Sequence, residues 1–383
     1  MFMNFWYPMC TSEELGKEPL LVTALGLDFV VFRDTAGKAA CLSDTCVHRG
    51  ASLSAGRAKD NCIECPYHGW RFDASGQCVR IPSLGREGRV PGRVRVDSYP
   101  VEERYGLVFA FLGDLPEEER PPIMRIEEYV DGAVAEGWRQ TIQIFDFPVN
   151  YQRSVENGLD FAHNEFVHPT HGFSYENEDT YEVAPLELLE NSWGFGAWNK
   201  MFAPPLADKQ MREASGRQEN AFVSVGLGHV GAASIWTFIH PTEQFKIHQY
   251  LFEKPVTRDR TLIYFVTLRN FLLAPEHDER MISRNQYVVF QDRDVLKKVR
   301  PLHSPMVPRQ EFLVPADKPV GRYRELLRDW TARGWRIDSD AIEATRDRQI
   351  HAIPCPARRT TKGWVLDPVP IVGGAGQAGV AGG

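Results

Sequence analysis

The chain has 383 residues, 43% of them hydrophobic and 25% charged, with a formal net charge of -7, a length that suggests two domains with sizeable cores. The acidic balance argues against a nucleic-acid partner, because phosphate binding calls for a basic patch, and no apolar run reaches the length that spans a bilayer. The start, Met1 to Cys10, shows neither a basic segment nor a cleavage site, so no signal peptide is expected and a cytoplasmic location is the default.

In chain order, the stretch up to Asp114 reads as short strands: an apolar, β-branched run from Leu20 to Val31, a turn signal at Asp34 to Lys38, and a strand at Leu107 to Leu112. Leu115 to Pro122 is polar and punctuated by proline, as a linker would be. Beyond it, Ile235 to His240, Phe245 to Phe252 and Leu262 to Leu268 read as strands. Met281 to Val299 and Tyr323 to Ala332 read as helices. The Gly- and Ala-rich end from Gly373 cannot bury a core and reads as a disordered tail. The expected division is 1–116, 117–370 and a tail, 371–383.

Seven cysteines lie at 10, 41, 46, 62, 65, 78 and 355, and five fall between 41 and 78. So tight a cluster points to metal or redox chemistry rather than to a disulfide scaffold. Within it stand Cys46-Val-His48 and Cys65-Pro-Tyr-His68, each offering one thiolate and one imidazole, separated by 16 residues. A Rieske [2Fe–2S] centre needs two Cys on one iron and two His on the other. A Cys2His2 zinc site built from the same residues, or a redox pair of Cys62 and Cys65, remains open on spacing alone.

Further on stands Asn157-Gly-Leu-Asp160-Phe-Ala-His163-Asn-Glu-Phe-Val-His168. Asp160 and His163, three apart, would share one face of a helix. His163 and His168, five apart, would point about 140° from one another on a straight helix. Pro169 disfavours helical geometry at His168, so the helix is expected to end first and let His168 turn back. Two histidines with one distant carboxylate make the facial triad of non-haem Fe(II) oxygenases. His171 lies beyond the pattern and ranks low.

Taken together, Cys46-Val-His-Arg-Gly-Ala, Cys65-Pro-Tyr-His-Gly-Trp-Arg-Phe-Asp73 and the Asn157–His168 pattern resemble the Rieske-type ring-hydroxylating oxygenases, in the family's order. The resemblance implies an α+β protein: an all-β Rieske domain, then a catalytic domain whose curved antiparallel sheet and helices form a helix-grip, START-like fold. It assigns Cys46, His48, Cys65 and His68 to a [2Fe–2S] cluster and His163 and His168 to Fe(II). The third iron ligand is expected in Phe290-Gln-Asp292-Arg-Asp294, with Asp292 ahead of Asp294. The other five cysteines are then packing residues.

The resemblance also makes Asp160 the acid between the two metal centres. In that role it would hydrogen-bond His163 and reach His68 of the next protomer, which implies a homotrimer with electron transfer between subunits. It implies O2 as co-substrate and NAD(P)H as the distant electron source. No G-x-G-x-x-G follows a strand, so a separate flavin or iron–sulfur reductase, with or without a ferredoxin, is expected to deliver the electrons.

Gly76 to Ser83 and Tyr105 to Phe109 resemble monooxygenase-type members, such as those acting on pheophorbide and aminopyrrolnitrin. Hydroxylation, oxidative dealkylation or N-oxidation of a small aromatic or natural product is therefore expected ahead of dihydroxylation. Tyr151, Trp193 and Phe202 are candidate pocket residues. A pure electron-transfer Rieske protein and a zinc-binding interaction protein are the competing readings.

Overall fold

The computed structural model describes residues 1–168, 181–203, 209, 212–213, 221–305 and 310–373. The residues divide into two compact units, Met1–Pro121 with Leu327–Gly383, and Pro122–Leu326.

The first unit is built from short antiparallel strands. They are β1 (Phe5–Thr11), β2 (Leu20–Ala24), β3 (Leu27–Arg33), β4 (Ala39–Ser43), β5 (Arg57–Lys59), β6 (Cys62–Glu64), β7 (Arg71–Asp73), β8 (Cys78–Arg80), β9 (Ser98–Tyr99), β10 (Val101–Arg104) and β11 (Leu107–Leu112). Three sheets result, ordered β1-β11-β10, β2-β3-β4-β9 and β5-β6-β7-β8. The apolar run from Leu20 to Val31 is a hairpin rather than one strand, because Leu25 and Gly26 both take positive φ (54° and 78°), the geometry of a tight hairpin turn. Val30, Phe32, Leu42, Leu53, Ile63 and Phe72 form one apolar core in this unit.

The second unit holds a small hairpin, β12 (Tyr129–Val130) with β13 (Ala133–Val134), and one large sheet. The sheet's strands are β14 (Arg139–Phe147), β15 (Leu189–Asn191), β16 (Gly194–Ala203), β17 (Ala221–Val230), β18 (Ser234–His240), β19 (Ile247–Thr257) and β20 (Arg260–Arg269). They run antiparallel in the order β14-β20-β19-β18-β17-β16-β15. Against it lie α1 (Tyr151–Gly158) and α3 (Asp278–Leu296), with α2 (Asn164–Val167) packed on α3, so the architecture is the expected α+β one. Side chains alternate across each strand. Ile235, Thr237 and Ile239 of β18 and Ile247, Gln249 and Leu251 of β19 therefore face one cavity.

Helix α4 (Lys318–Ala332) contains the boundary between the units, and α5 (Ser339–Thr345) and the pair β21 (His351–Ala352) and β22 (Asp367–Pro368) follow. The linear division 1–116, 117–370, 371–383 is corrected at this point, since residues from Leu327 onward return to the first unit. The cause is apolar and ionic. Phe5 packs edge-on against Trp330 and Trp335. Arg358 grips the fully buried Asp97 with Nε at 2.6 Å and Nη2 at 2.7 Å. Of the tail, residues 374–383 lie outside the described ones.

Candidate metal centres

The first pair of motifs sits on two loops of the first unit. Cys46 to Gly50 follows β4, and Cys65 to Gly69 joins β6 to β7. Each closes by the same bond: Gly50 N–H donates to Cys46 O at 2.9 Å and Gly69 N–H to Cys65 O at 3.0 Å. Gly50 and Gly69 take φ of 73° and 68°, a left-handed turn that disfavours any side chain. Asp44, buried beneath the first loop, accepts from Ser54 N–H at 2.6 Å and from the Ser52 hydroxyl.

The donor set is polarised. Cys46 and Cys65 are 1% and 2% exposed and belong to the apolar core, whereas His48 is exposed and His68 partly so. The two imidazoles lie 4.4 Å apart, and Trp70 stacks on His48 at 4.4 Å. Burial pushes the Cys46 thiol up to about 12, and the adjacent Cys65 adds to it. Thiolates in such a place need a cation to hold their charge. Two inward thiols and two outward imidazoles are the donor set that would hold a Rieske [2Fe–2S] cluster. Cys62 and Cys65 carry thiols, not a disulfide.

The second constellation lies in the second unit. Helix α1 is capped by Asn150, whose side chain accepts from Gln152 N–H at 3.0 Å, and ends at Gly158. Asp160 and His163 therefore do not share a helix face, a correction to the sequence expectation; they occupy a turn between two short helices. His163 precedes α2, and α2 ends at Val167, before His168, so the chain turns as Pro169 led one to expect.

The turn fixes His163 through the backbone. Its Nδ1–H donates to Asp160 O at 2.8 Å, and this tautomer leaves Nε2 as a lone pair. The Asp160 carboxylate accepts from Ala162 N–H at 2.7 Å and stays 3.8 Å from His163 Nδ1. The expected carboxylate bond to His163 is thus replaced by a carbonyl bond, because the side chain is occupied in closing the turn. Burial raises the Asp160 carboxyl above the usual range, against the opposing pull of His163.

Asp292 comes from α3, distant in sequence. Its Oδ1 lies 3.1 Å from His168 Nε2 and 3.5 Å from His163 Nε2. The three side chains offer ligand atoms that all fall within 4.8 Å of one another. Asp292 Oδ1 is buried, and among the described residues its polar neighbours are the two imidazole Nε2 atoms. Two lone pairs and a carboxylate oxygen facing each other demand a positive charge between them. Burial works against a charged His168, yet Asp292 and Gln291 outweigh it and its proton affinity is raised. An Fe(II) ion fits this donor set, with positions left open. Asp294 points away: its carboxylate is mostly exposed and lies near Arg293 and Lys297. His171 lies outside the described residues.

Sequence reading missed Gln291, whose Oε1 meets His168 Nδ1 at 2.9 Å; its position beside Asp292 was the available signal. It missed Asn285 as well, one helical face above Asp292 at a spacing of seven. Asn285 and Arg284 line the cavity that His163, His168 and Asp292 also line, a space of about 160 Å³. Tyr151 and Trp193 are not among its lining residues, and the Phe202 side chain lies outside the described ones. Tyr151 is instead buried within α1.

Two family models match. Residues 5–100 match the Rieske [2Fe-2S] domain and residues 147–333 the vanillate O-demethylase oxygenase C-terminal domain. A putative toluene-4-sulfonate monooxygenase iron-sulfur subunit of Comamonas testosteroni is 40% identical over 44% of this chain and 46% of its own length. The phenoxybenzoate dioxygenase α subunit of Ectopseudomonas oleovorans is 31% identical over 52% of this chain and 51% of its own. The chain thus spans about half the length of the curated relatives it matches. Among solved structures, Pseudomonas putida CBB5 NdmA with caffeine superposes with a TM-score of 0.68 at 24% identity, over 86% of this chain and 91% of that one. Dicamba monooxygenase bound to dicamba gives 0.67 at 23%, over 85% and 96%. Both likenesses show the fold.

Proposed function

The chain belongs to the Rieske non-haem iron oxygenases, and on that premise we propose that it is a terminal oxygenase acting on a small aromatic acid or related natural product. The convergence of His163, His168 and Asp292 on one cavity carries this reading. Cys46, His48, Cys65 and His68 are the cluster's ligands, and His163, His168 and Asp292 the iron's. In this role the cluster supplies electrons singly and the Fe(II) supplies oxygen activation. One oxygen atom enters the substrate and the other leaves as water, drawing a pair of electrons and protons from outside the chain.

The chain's own residues hold and shield the site. Gln291 and the Asp160 carbonyl orient the two imidazoles, so that their lone pairs meet at one point. The apolar faces of β17 to β20 exclude water from the cavity. Arg284 at the cavity gives a positive partner for an anionic ring substrate. An acid substrate is supported further by relatives named for toluene-4-sulfonate, phenoxybenzoate and 3-chlorobenzoate. Monooxygenation, as hydroxylation, dealkylation or N-oxidation, is favoured over dihydroxylation by the match to a vanillate O-demethylase domain.

A separate reductase, with or without a ferredoxin, delivers NAD(P)H electrons. Asp160, which holds His163 through its backbone carbonyl, joins it to His68 of a neighbouring protomer in a homotrimer, and the setting is a reducing cytoplasm. Among the described residues no helix is long and apolar enough to cross a membrane.

The test is a single turnover. The protein, reduced without air and mixed with O2 and a panel of substituted benzoates and aryl sulfonates, should yield oxygenated product only with His163, His168 and Asp292 intact. Cluster reoxidation without product from any acid or neutral aromatic, in protein carrying both metals, would contradict the reading and favour a pure electron carrier.

A further inference from the structure

On the face of the large sheet opposite the cavity lies a second histidine pair. His240 ends β18 and His248 stands near the start of β19, while their neighbours Ile239 and Ile247 line the cavity. The two Nε2 atoms face each other at 3.0 Å. The pair has a built support. Glu128, buried, takes the Nδ1–H of His248 with one carboxylate oxygen, and Tyr250 OH donates to the other at 2.8 Å. Phe238 stacks on the His248 ring at 3.9 Å and Trp138 lies at 5.0 Å, so the ring is held in a slot.

This support fixes the chemistry of His248. With Nδ1–H given to Glu128, the ring turns its Nε2 toward His240. His240 must answer with its own N–H or, if it too presents a lone pair, share a cation. Burial, His248 and Lys246 together hold His240 down to about 4. A zinc ion about 2.0–2.1 Å from each nitrogen at a tetrahedral angle sets the nitrogens roughly 3.3 Å apart. The separation found is a few tenths shorter, and His240, only half-buried, is free to open it and to admit a hydrated ion. A carboxylate on the far nitrogen of a ligating histidine is the support that metal sites use to raise ligand basicity.

We propose that His240 and His248, with Glu128 behind them, form a second cation site for a divalent first-row transition metal of the zinc type, with water completing its coordination. The site is separate from His163, His168 and Asp292 and does not depend on the oxygenase reading. Glu128 offsets the cation's charge, and Lys246 is the positive group that opposes it. The imidazole pair prefers zinc, nickel or copper to magnesium or calcium.

The test is calorimetric titration of the untagged holoprotein, iron in place, with zinc alone. One saturable equivalent is expected, retained in His163→Ala and lost in both His240→Ala and His240→Gln while the cluster absorption is unchanged. Glu128→Gln should weaken it by about tenfold or more. Trp198, whose ring lies 5.2 Å from His240, gives a second readout, because copper bound there should quench its fluorescence. No saturable zinc event in the wild-type protein, or one that survives both His240 variants, would overturn the proposal.

Discussion

Gln291 Oε1 meets Nδ1 of His168 at 2.9 Å, and that single bond decides which nitrogen of the imidazole is left for a metal. The amide oxygen accepts the Nδ1–H, Nε2 keeps its lone pair, and the next residue, Asp292, brings a carboxylate to within 3.1 Å of it. Replacing Gln291 by Leu should therefore leave the cluster spectrum intact while weakening Fe(II) binding by about 10–100-fold. Iron analysis after dialysis against a weak chelator measures it, and an unchanged iron content would contradict the role.

Asp292→Ala should remove the mononuclear iron and all oxygenation, while Asp294→Ala should keep both. The reason is placement: Asp292 Oδ1 is buried and faces both imidazoles, whereas Asp294 sits by Arg293 and Lys297 at the surface. Metal counts on the two variants decide it, and the opposite pattern would reverse the assignment.

Asp160→Asn should preserve both metals yet slow electron passage between them by about tenfold or more. The carboxylate lies 3.8 Å from His163 Nδ1, and the role proposed for it is to relay electrons rather than to ligate. Rapid mixing of the fully reduced variant with O2 and substrate gives the rate, and wild-type kinetics would remove Asp160 from the route.

Glu253 is fully buried on β19, and burial pushes its carboxyl up to about 8 although Ser154 donates to it at 2.7 Å. Between its ordinary value of 4.5 and about 8 the folded chain holds a proton that the unfolded chain has released. Stability is therefore greatest below that window and falls as pH rises through it, by at most about 1.4 kcal/mol per pH unit. Glu253→Gln keeps an acceptor for Ser154 and should flatten the decline in melting temperature from about pH 5 to about pH 8. An unchanged slope would show that Glu253 is not the group responsible.

Arg358→Ala should cost about 3 kcal/mol, because it strands the buried Asp97 carboxylate. Asp97 would keep the Cys355 N–H at 3.1 Å and the neutral Cys355 thiol, neither of which carries a compensating charge. Urea unfolding followed at the cluster absorption reads this directly, and a loss below about 1 kcal/mol, the range of exposed ion pairs, would contradict it.

The two candidate donor sets were legible in the sequence to the extent that their residues cluster along the chain. Cys46, His48, Cys65 and His68 lie on two short loops, and His163 and His168 flank one four-residue helix. Asp292 was legible only through the family pattern, since a ligand brought over on another helix leaves no local spacing to read. The strands β18 to β20 and the helix α3 were visible as apolar alternation and helical periodicity, with ends displaced by a few residues. The exchange of a carboxylate for a carbonyl at His163 was not visible, because it depends on a turn that helical spacing hides. Neither was the return of Trp330, Trp335 and Arg358 to the first unit, nor the meeting of Glu128, His240 and His248. Glu128 meets His248 from 120 positions away and Arg358 meets Asp97 from 261, and the direct His240–His248 contact, though only eight positions apart, depends on the pairing of two strands.

The most direct test of the account is a metal count with EPR on the purified protein, before and after dithionite. A red-brown protein is expected, with about three irons per chain, two in the cluster and one at the triad, and a rhombic Rieske signal on reduction. The iron should fall to about two in Asp292→Ala with that signal unchanged. A colourless zinc protein, or a coloured one holding only about two irons even after anaerobic Fe(II) loading, would contradict it.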